Sequence, residues 1–66
     1  MKKKKTTGEK LLRLRGARTL ERVATDNGIS VSALSMYEQN LRTPRDEVKV
    51  KLARYYGTTV GELFFS

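Results

Sequence analysis

The sequence predicts an all-α protein in which five short helices surround one small core. Apolar residues recur at helical spacing, capping residues and glycines separate these segments, and no stretch shows the alternating pattern of a convincing strand. A chain of 66 residues is enough for a single domain. It contains no cysteine and no histidine, so we expect neither a disulfide nor a metal in the core, and we expect no cofactor.

The first part of the chain divides into a charged arm and two helices. Residues 1–7, MKKKKTT, carry like charges and have nothing to bury, so we expect a flexible basic arm before a folded domain over residues 8–66. Two interpretations of the arm stay open, a segment that contacts phosphates and a tail that serves only solubility. The first helix is EKLLRLR and ends at Gly16, and the second is LERVAT, capped by Thr19. The tripeptide Asp-Asn-Gly then predicts a turn in which Gly28 adopts a positive φ angle.

The third predicted helix is VSALSMYEQN, with Ser30 as its cap. Its inward face consists of Leu34 and Tyr37, which lie three residues apart. Asn40 is expected to end this helix in a left-handed conformation, which asparagine tolerates better than most residues.

Two further helices complete the chain. In LRTPRDEVKVKLARYYG, Thr43 is predicted as the cap and Pro44 as the first helical residue, with Gly57 closing the helix. In TTVGELFFS, Thr59 is predicted as the cap, and Leu63 is expected to plug the core. Because helices this short are unstable alone in water, the five must pack on one another.

The chain is strongly basic. Lysine and arginine number 14 against 7 acidic residues, giving a net charge of +7 and a pI near 10.2. Such a balance favours a polyanionic partner, either nucleic acid or an anionic membrane surface. No apolar run is long enough to cross a bilayer, and no apolar segment follows the basic N-terminus, so we expect a cytoplasmic protein without a signal peptide.

The second and third helices have the spacing of a helix-turn-helix. About four residues centred on Gly28 separate them, and in this motif the second helix lies in the DNA major groove. The low charge of the third helix then has a reason, because base edges are read by donors, acceptors and groups that touch a thymine methyl. Attraction to phosphates is left to arginines on either side: Arg18, Arg22, Arg42 and Arg45.

The segment over residues 20–64 resembles the helix-turn-helix domain of phage repressors and Cro-type regulators, the Xre family. The matching elements, in chain order, are the small residue Ala24, the turn residues Gly28 and Ile29, the motif Ser-x-Ser-x-apolar-Ser-x-Tyr-Glu at 30–38, Pro44, and Gly-x-x-x-x-Glu-Leu-Phe at 57–64. One departure is Asn27, which occupies a position that is normally apolar and packs inside the turn. The resemblance implies a compact five-helix, lambda-repressor-like DNA-binding domain.

The resemblance also implies roles for particular residues. The helix at 30–39 is expected to enter the major groove and contact bases through Val31, Ser32, Ser35 and Met36. Phosphate contacts are expected from Lys2, Lys3, Lys4, Lys5, Arg18, Ser30, Gln39, Arg42 and Arg45. A structural ion pair is expected between Glu38 and Arg15, with Arg13 as the rival because the connection Gly-Ala-Arg looks about two residues shorter than is usual in the family.

The predicted function is a sequence-specific DNA-binding transcriptional regulator, a repressor in the first instance. Its partner is double-stranded DNA, with no membrane and no small-molecule ligand. Because one such domain covers only half of a DNA site, a homodimer is expected. The proposed dimer seam comprises Val50, Tyr55, Phe64 and Phe65, and the competing interpretation is that the C-terminal aromatic residues only close the core.

Other classes of function are less compatible with the sequence. An enzyme is not expected, because histidine and cysteine are absent, the acidic residues are scattered, and no glycine-rich phosphate loop occurs. The alternative function is an antitoxin or another protein-interaction module with the same fold, although antitoxins usually carry a toxin-binding extension and this sequence ends at Ser66. A basic peptide that binds RNA or membranes is disfavoured by the capped, separated helices.

Overall fold

Five α-helices follow one another in residues 6–65, the part of the chain that the computed structural model describes. They are α1 (Thr7–Arg15), α2 (Leu20–Asn27), α3 (Val31–Glu38), α4 (Asp46–Tyr55) and α5 (Val60–Phe64). Within this range there is no strand, so the predicted all-α fold is confirmed. The predicted phosphate contacts Lys2, Lys3, Lys4 and Lys5 lie outside the described residues.

The first helix begins earlier than the sequence suggested. Thr6 forms a capping box with Glu9: the Thr6 hydroxyl accepts from the Glu9 amide at 3.2 Å, and the Glu9 carboxylate accepts from the Thr6 amide at 2.9 Å. The expected boundary between arm and domain, after Thr7, therefore falls inside the first turn of α1.

The predicted caps of three other helices are confirmed. The side chains of Thr19, Ser30 and Thr59 each accept a hydrogen bond from the amide three residues further on, at the starts of α2, α3 and α5. These bonds satisfy amides that have no partner within their own helix.

The predicted start of the fourth helix is wrong. Thr43 does not cap it and Pro44 is not its first residue, because α4 begins at Asp46 and its N-cap, Arg45, makes no side-chain capping bond. Pro44 is buried in the loop before the helix, so its ring is used for packing. Asp46 and Glu47 occupy the first turn of α4, where the helix dipole favours negative charge.

Three helix ends share one hydrogen-bond pattern. At Gly28, Asn40 and Gly57 the residue has φ between 61° and 69°, and its amide and the following amide bond back to carbonyls of the last turn. This arrangement is the Schellman motif. Asn40 is the single residue other than glycine with positive φ in the described part of the chain.

The core receives one fully buried aliphatic side chain from every helix. These five residues are Leu11, Val23, Leu34, Leu52 and Leu63. Ala24, Tyr37 and Ala53 complete the buried cluster, and half-buried residues such as Ile29 and Phe64 pack around it. Each helix therefore contributes one anchor to a shared core. Helices this short depend on such packing for their stability.

Candidate nucleic-acid interface

Helices α2 and α3 are joined by a tight turn that packs them against each other. Ala24 is buried where the two helices meet, and its carbonyl accepts a 3.0 Å bond from the amide of Ile29, just beyond Gly28. Asn27 is also buried, and its side-chain amide donates to the carbonyl of Val23 at 2.8 Å. The turn therefore accommodates a polar residue where an apolar one was expected, because the buried amide finds a partner within its own helix.

The outer face of α3 carries no charge. Val31 and Met36 are 38% and 37% exposed, Ser32 is exposed, and Ser35 is half-buried. At about 100° per residue these four positions lie within an arc of about 140°, while Leu34 and Tyr37 point into the core on the opposite side. The predicted base-contacting residues are thus gathered on one accessible surface of the helix.

Two polar residues of this surface are already paired with each other. The side-chain amide of Gln39 donates to the hydroxyl of Ser35 at 2.8 Å. At the other end of α3 the Ser30 hydroxyl is engaged as the cap, accepting from the Ala33 amide at 3.0 Å. Val31, Ser32 and Met36 therefore form the most open part of the face.

The three arginines predicted to contact phosphates are divided between the two ends of α4. Arg42 and Arg45 are exposed in the loop that follows α3 and precedes α4. Arg18 lies at the far end of α4, where its guanidinium carbon is 5.5 Å from the ring centroid of Tyr55 and 5.9 Å from that of Tyr56. A helix of ten residues is about 15 Å long, so Arg18 is not grouped with the two loop arginines.

Arg22, the other arginine before the turn, is paired with an acidic residue. Its Nε lies 3.0 Å from the Asp26 carboxylate, which also accepts a 2.7 Å bond from the hydroxyl of Tyr55. The hydrogen bond from Tyr55, followed by the bond from Arg22, lowers the pKa of Asp26 below its ordinary value. Part of the Arg22 charge is therefore balanced within the protein. The i,i+4 spacing of Arg22 and Asp26 is typical of a helical ion pair, whereas the bond from Tyr55 spans 29 residues and cannot be inferred from spacing.

Arg15 and Glu38 hold α3 against α1. Arg15 Nε donates to Glu38 Oε2 at 2.8 Å, and another nitrogen of the same guanidinium donates to the carbonyl of Arg18 at 2.7 Å. The rival, Arg13, is exposed. The geometry therefore puts Arg15 against the last turn of α3.

The four residues of the predicted dimer seam are not all in one place. Phe64 and Phe65 lie beside Lys49, whose ammonium nitrogen is 5.7 Å and 4.7 Å from the two ring centroids. Val50, next in the chain to Lys49, is exposed. Tyr55 is about 140° further round α4 from Val50 and bonds to α2 through Asp26. We therefore restrict the name dimer seam to Val50, Phe64 and Phe65 from here on.

The side chain of Asn40 is a contact that sequence reasoning missed. It bonds to Gly8 and Thr6, which are 32 and 34 residues away in the chain. The sequence signals a left-handed helix end at this position, but local patterns cannot show which distant residue its amide will meet.

Two kinds of feature are absent from residues 6–65. No group of three or more acidic side chains there is placed to hold a metal ion. In the same range, no helix is long and apolar enough to span a lipid bilayer.

A short capped helix with an uncharged outer face, packed behind a glycine turn against a second helix, defines a helix-turn-helix DNA-binding domain. A family model described as Helix-turn-helix matches residues 10–63, most of the chain. The chain belongs to this family, the helix-turn-helix proteins of Cro/C1 type, which are DNA-binding regulators and not enzymes. Searches of curated proteins and of solved structures returned no match.

Proposed function

We propose that the protein is a sequence-specific transcriptional repressor that binds operator DNA as a homodimer. The observation that carries this proposal is the uncharged, accessible face of α3, which is held outward by the buried side chains of Leu34 and Tyr37. In the proposed complex the helix over residues 30–39 lies in the major groove, with its N-terminal end leading.

The most open residues of α3 are assigned to base contacts. The side chains of Val31 and Met36 suit thymine methyl groups, since both are apolar and exposed. The Ser32 hydroxyl can either donate or accept a hydrogen bond, so it discriminates less between bases. Ser35 and Gln39 are bonded to each other, so we propose that they approach DNA as a unit, with Ser35 near a base and Gln39 near a phosphate.

Phosphate contacts are assigned first to Arg42 and Arg45, which follow α3 directly and are exposed. The amides of the first turn of α3, with the Ser30 cap, offer a second phosphate site of the kind that helix N-termini provide. The lysines at positions 2–5 precede Thr6, whose hydroxyl lies 3.0 Å from the Asn40 amide beside the end of α3. We therefore keep these lysines as proposed phosphate contacts. Arg18 is also kept, although its guanidinium would have to move away from the Tyr55 ring to reach a phosphate.

The homodimer and the repression are linked proposals. One α3 helix reads about half of a typical site, and a second copy one helical turn away doubles the contact surface. The dimer seam supports pairing because Val50 and Phe65 are large apolar side chains that are 42% and 70% exposed. Repression requires only that the bound dimer occupies the promoter groove.

The test begins with in vitro selection of bound duplex DNA, followed by fluorescence anisotropy on the selected duplex and on a scrambled duplex. The variant Val31→Ala/Met36→Ala should lose about tenfold or more in affinity for the selected duplex and little for the scrambled one. Leu12→Ala, which removes an exposed apolar side chain from α1, is the matched control and should bind both duplexes like the wild type.

Two results would overturn the proposal. Selection could return no preferred sequence, or the amide NMR signals of α3 could stay unmoved on addition of duplex DNA while another surface shifts. A reporter with the selected site inside its promoter tests the sign of regulation, and increased expression on adding the protein would contradict repression.

A further inference from the structure

Asn40 occupies a position where this chain otherwise uses glycine. The Schellman ends of α2 and α4 have Gly28 and Gly57 in the left-handed conformation, whereas α3 has Asn40 with φ of 61°. Glycine adopts this conformation at lower steric cost than asparagine. The exception suggests that the Asn40 side chain has a task that glycine could not perform.

Both ends of the Asn40 amide are bonded to the start of α1. Its Oδ1 accepts from the backbone amide of Gly8 at 2.9 Å, and its Nδ2 donates to the Thr6 hydroxyl at 3.0 Å. The Gly8 amide belongs to the first turn of α1, where backbone donors have no partner inside the helix. The contact therefore satisfies a donor of one helix with the end of another.

Gly8 allows these two helices to touch through their backbones. A Cβ atom on Gly8 would lie 2.8 Å from the carbonyl carbon of Glu38 and 2.9 Å from Nδ2 of Asn40, closer than real Cβ atoms approach. We call Thr6, Gly8 and Asn40 the α1–α3 clasp. It joins the first turn of α1 to the residue that closes the Schellman motif just beyond α3.

A second attachment joins the same two helices at the other end of α1. Arg15, seven residues and about 10 Å along α1 from Gly8, pairs with the Glu38 side chain. The buried side chains of Leu34 and Tyr37 already hold α3 in the core, and two separated attachments to α1 at its C-terminal end restrict its direction further. The exposed face that carries Val31 and Met36 then keeps a defined orientation relative to the rest of the domain.

We infer that Asn40 is a positioning residue for base reading, acting through the α1–α3 clasp rather than by touching DNA. This inference rests on the proposed function, since it concerns how well the face of α3 meets base edges. Loss of the clasp should widen the range of orientations of α3, and so weaken binding to the preferred sequence more than binding to other sequences.

The test uses Asn40→Gly in the full chain. Glycine keeps the left-handed helix end and removes the asparagine side chain with its amide, so we expect the variant to keep a cooperative melt. The reciprocal control is Gly57→Asn. It puts an asparagine side chain at the Schellman end of α4, where a Cβ atom would meet nothing within 4 Å. In the free Asn40→Gly protein, the amides of Gly8 and of residues 31–36 should shift in NMR spectra and exchange faster, and in the control they should not.

The DNA measurement compares Kd for the selected duplex with Kd for a scrambled duplex at one salt concentration. We expect Asn40→Gly to reduce this specificity ratio about tenfold with little change for scrambled DNA, and Gly57→Asn to leave it unchanged. An unchanged ratio, or unmoved α3 amides in the free variant, would overturn the inference and leave Asn40 as a helix cap only. If the wild-type ratio is itself near one, the proposed function fails and the specificity role fails with it.

Discussion

Arg15 and Glu38 form an ion pair across 23 residues of chain, with Arg15 Nε 2.8 Å from Glu38 Oε2. The pair is asymmetric, because 17% of the arginine side chain is exposed but only 6% of the glutamate side chain. A buried pair of this kind contributes more to fixed orientation than to stability, since desolvation offsets much of the attraction. Because Glu38 is the more buried partner, removing Arg15 should cost more stability than removing Glu38.

Arg15→Met should destabilise the fold strongly. It leaves the shielded Glu38 carboxylate without its partner, at a cost of about 3 kcal/mol and roughly 15 °C in Tm for a domain of this size. Arg13→Met is the matched control, since Arg13 is exposed, and its Tm should stay within a few degrees of wild type. Arg15→Met/Glu38→Met should recover most of the loss. A double variant no more stable than Arg15→Met alone would contradict the assignment of the cost to an isolated charge.

Tyr56→Phe should leave stability at neutral pH unchanged or raise it by up to about 1 kcal/mol. The Tyr56 hydroxyl is buried without a hydrogen-bond partner among residues 6–65, so removing it removes an unsatisfied group. Tyr55→Phe is the comparison, because it loses the 2.7 Å bond to Asp26 and should be neutral or slightly destabilising. Chemical denaturation of both variants measures the difference, and a clear loss of stability in Tyr56→Phe would disprove the reasoning.

The same tyrosine predicts a pH dependence. Burial, with smaller effects from the charges of Glu38 and Tyr55, raises the pKa of Tyr56 from 10.0 to about 12. The unfolded chain therefore releases this proton first, and the stabilising contribution present below pH 10 is lost as the pH rises towards 12. The stability of wild type relative to Tyr56→Phe should fall over that window. A difference that is constant from pH 8 to about pH 12 would contradict the raised pKa.

Arg42→Ala should weaken binding to all DNA sequences by a similar factor. A lost phosphate contact should also lower the slope of log K against log salt by about one unit. Arg54→Ala removes the same charge from the exposed side of α4 and is the matched control, with its slope expected near the wild-type value. Anisotropy titrations over a salt series give both slopes. Equal slopes for the wild type and Arg42→Ala would exclude Arg42 as a phosphate contact.

Phe65→Ser should shift the protein from dimer to monomer. Phe65 is 70% exposed and its ring centroid lies 4.7 Å from the Lys49 ammonium nitrogen, so it can be replaced without opening the core. Sedimentation at micromolar concentration should show a dimer for the wild type and a monomer for the variant, and the variant should keep a cooperative melt that shows its fold is intact. Leu41→Ser, at an equally exposed apolar position in the loop after α3, should leave the mass unchanged. A wild-type protein that sediments as a monomer would contradict the proposed dimer seam.

Much of the fold follows from local chemistry that the sequence displays directly. Thr19, Ser30 and Thr59 cap helices because a hydroxyl can reach an amide three residues away, and the glycine ends at positions 28 and 57 follow from steric freedom at positive φ. The start of α4 was mispredicted for a related reason. Thr43 and Pro44 satisfy the local rule for a helix start, but burial of the proline ring in the loop overrides it.

The sequence by itself determined the five helices, the turn between α2 and α3, and the uncharged character of the helix after that turn. Only the tertiary structure decided that Arg18 lies on Tyr55, that Tyr55 is apart from Phe65, and that the amide of Asn40 meets Gly8. The physical reason is the distance along the chain over which each interaction acts. Caps and periodicity act within one or two helical turns, whereas these contacts join residues that become neighbours only after the core has brought the helices together.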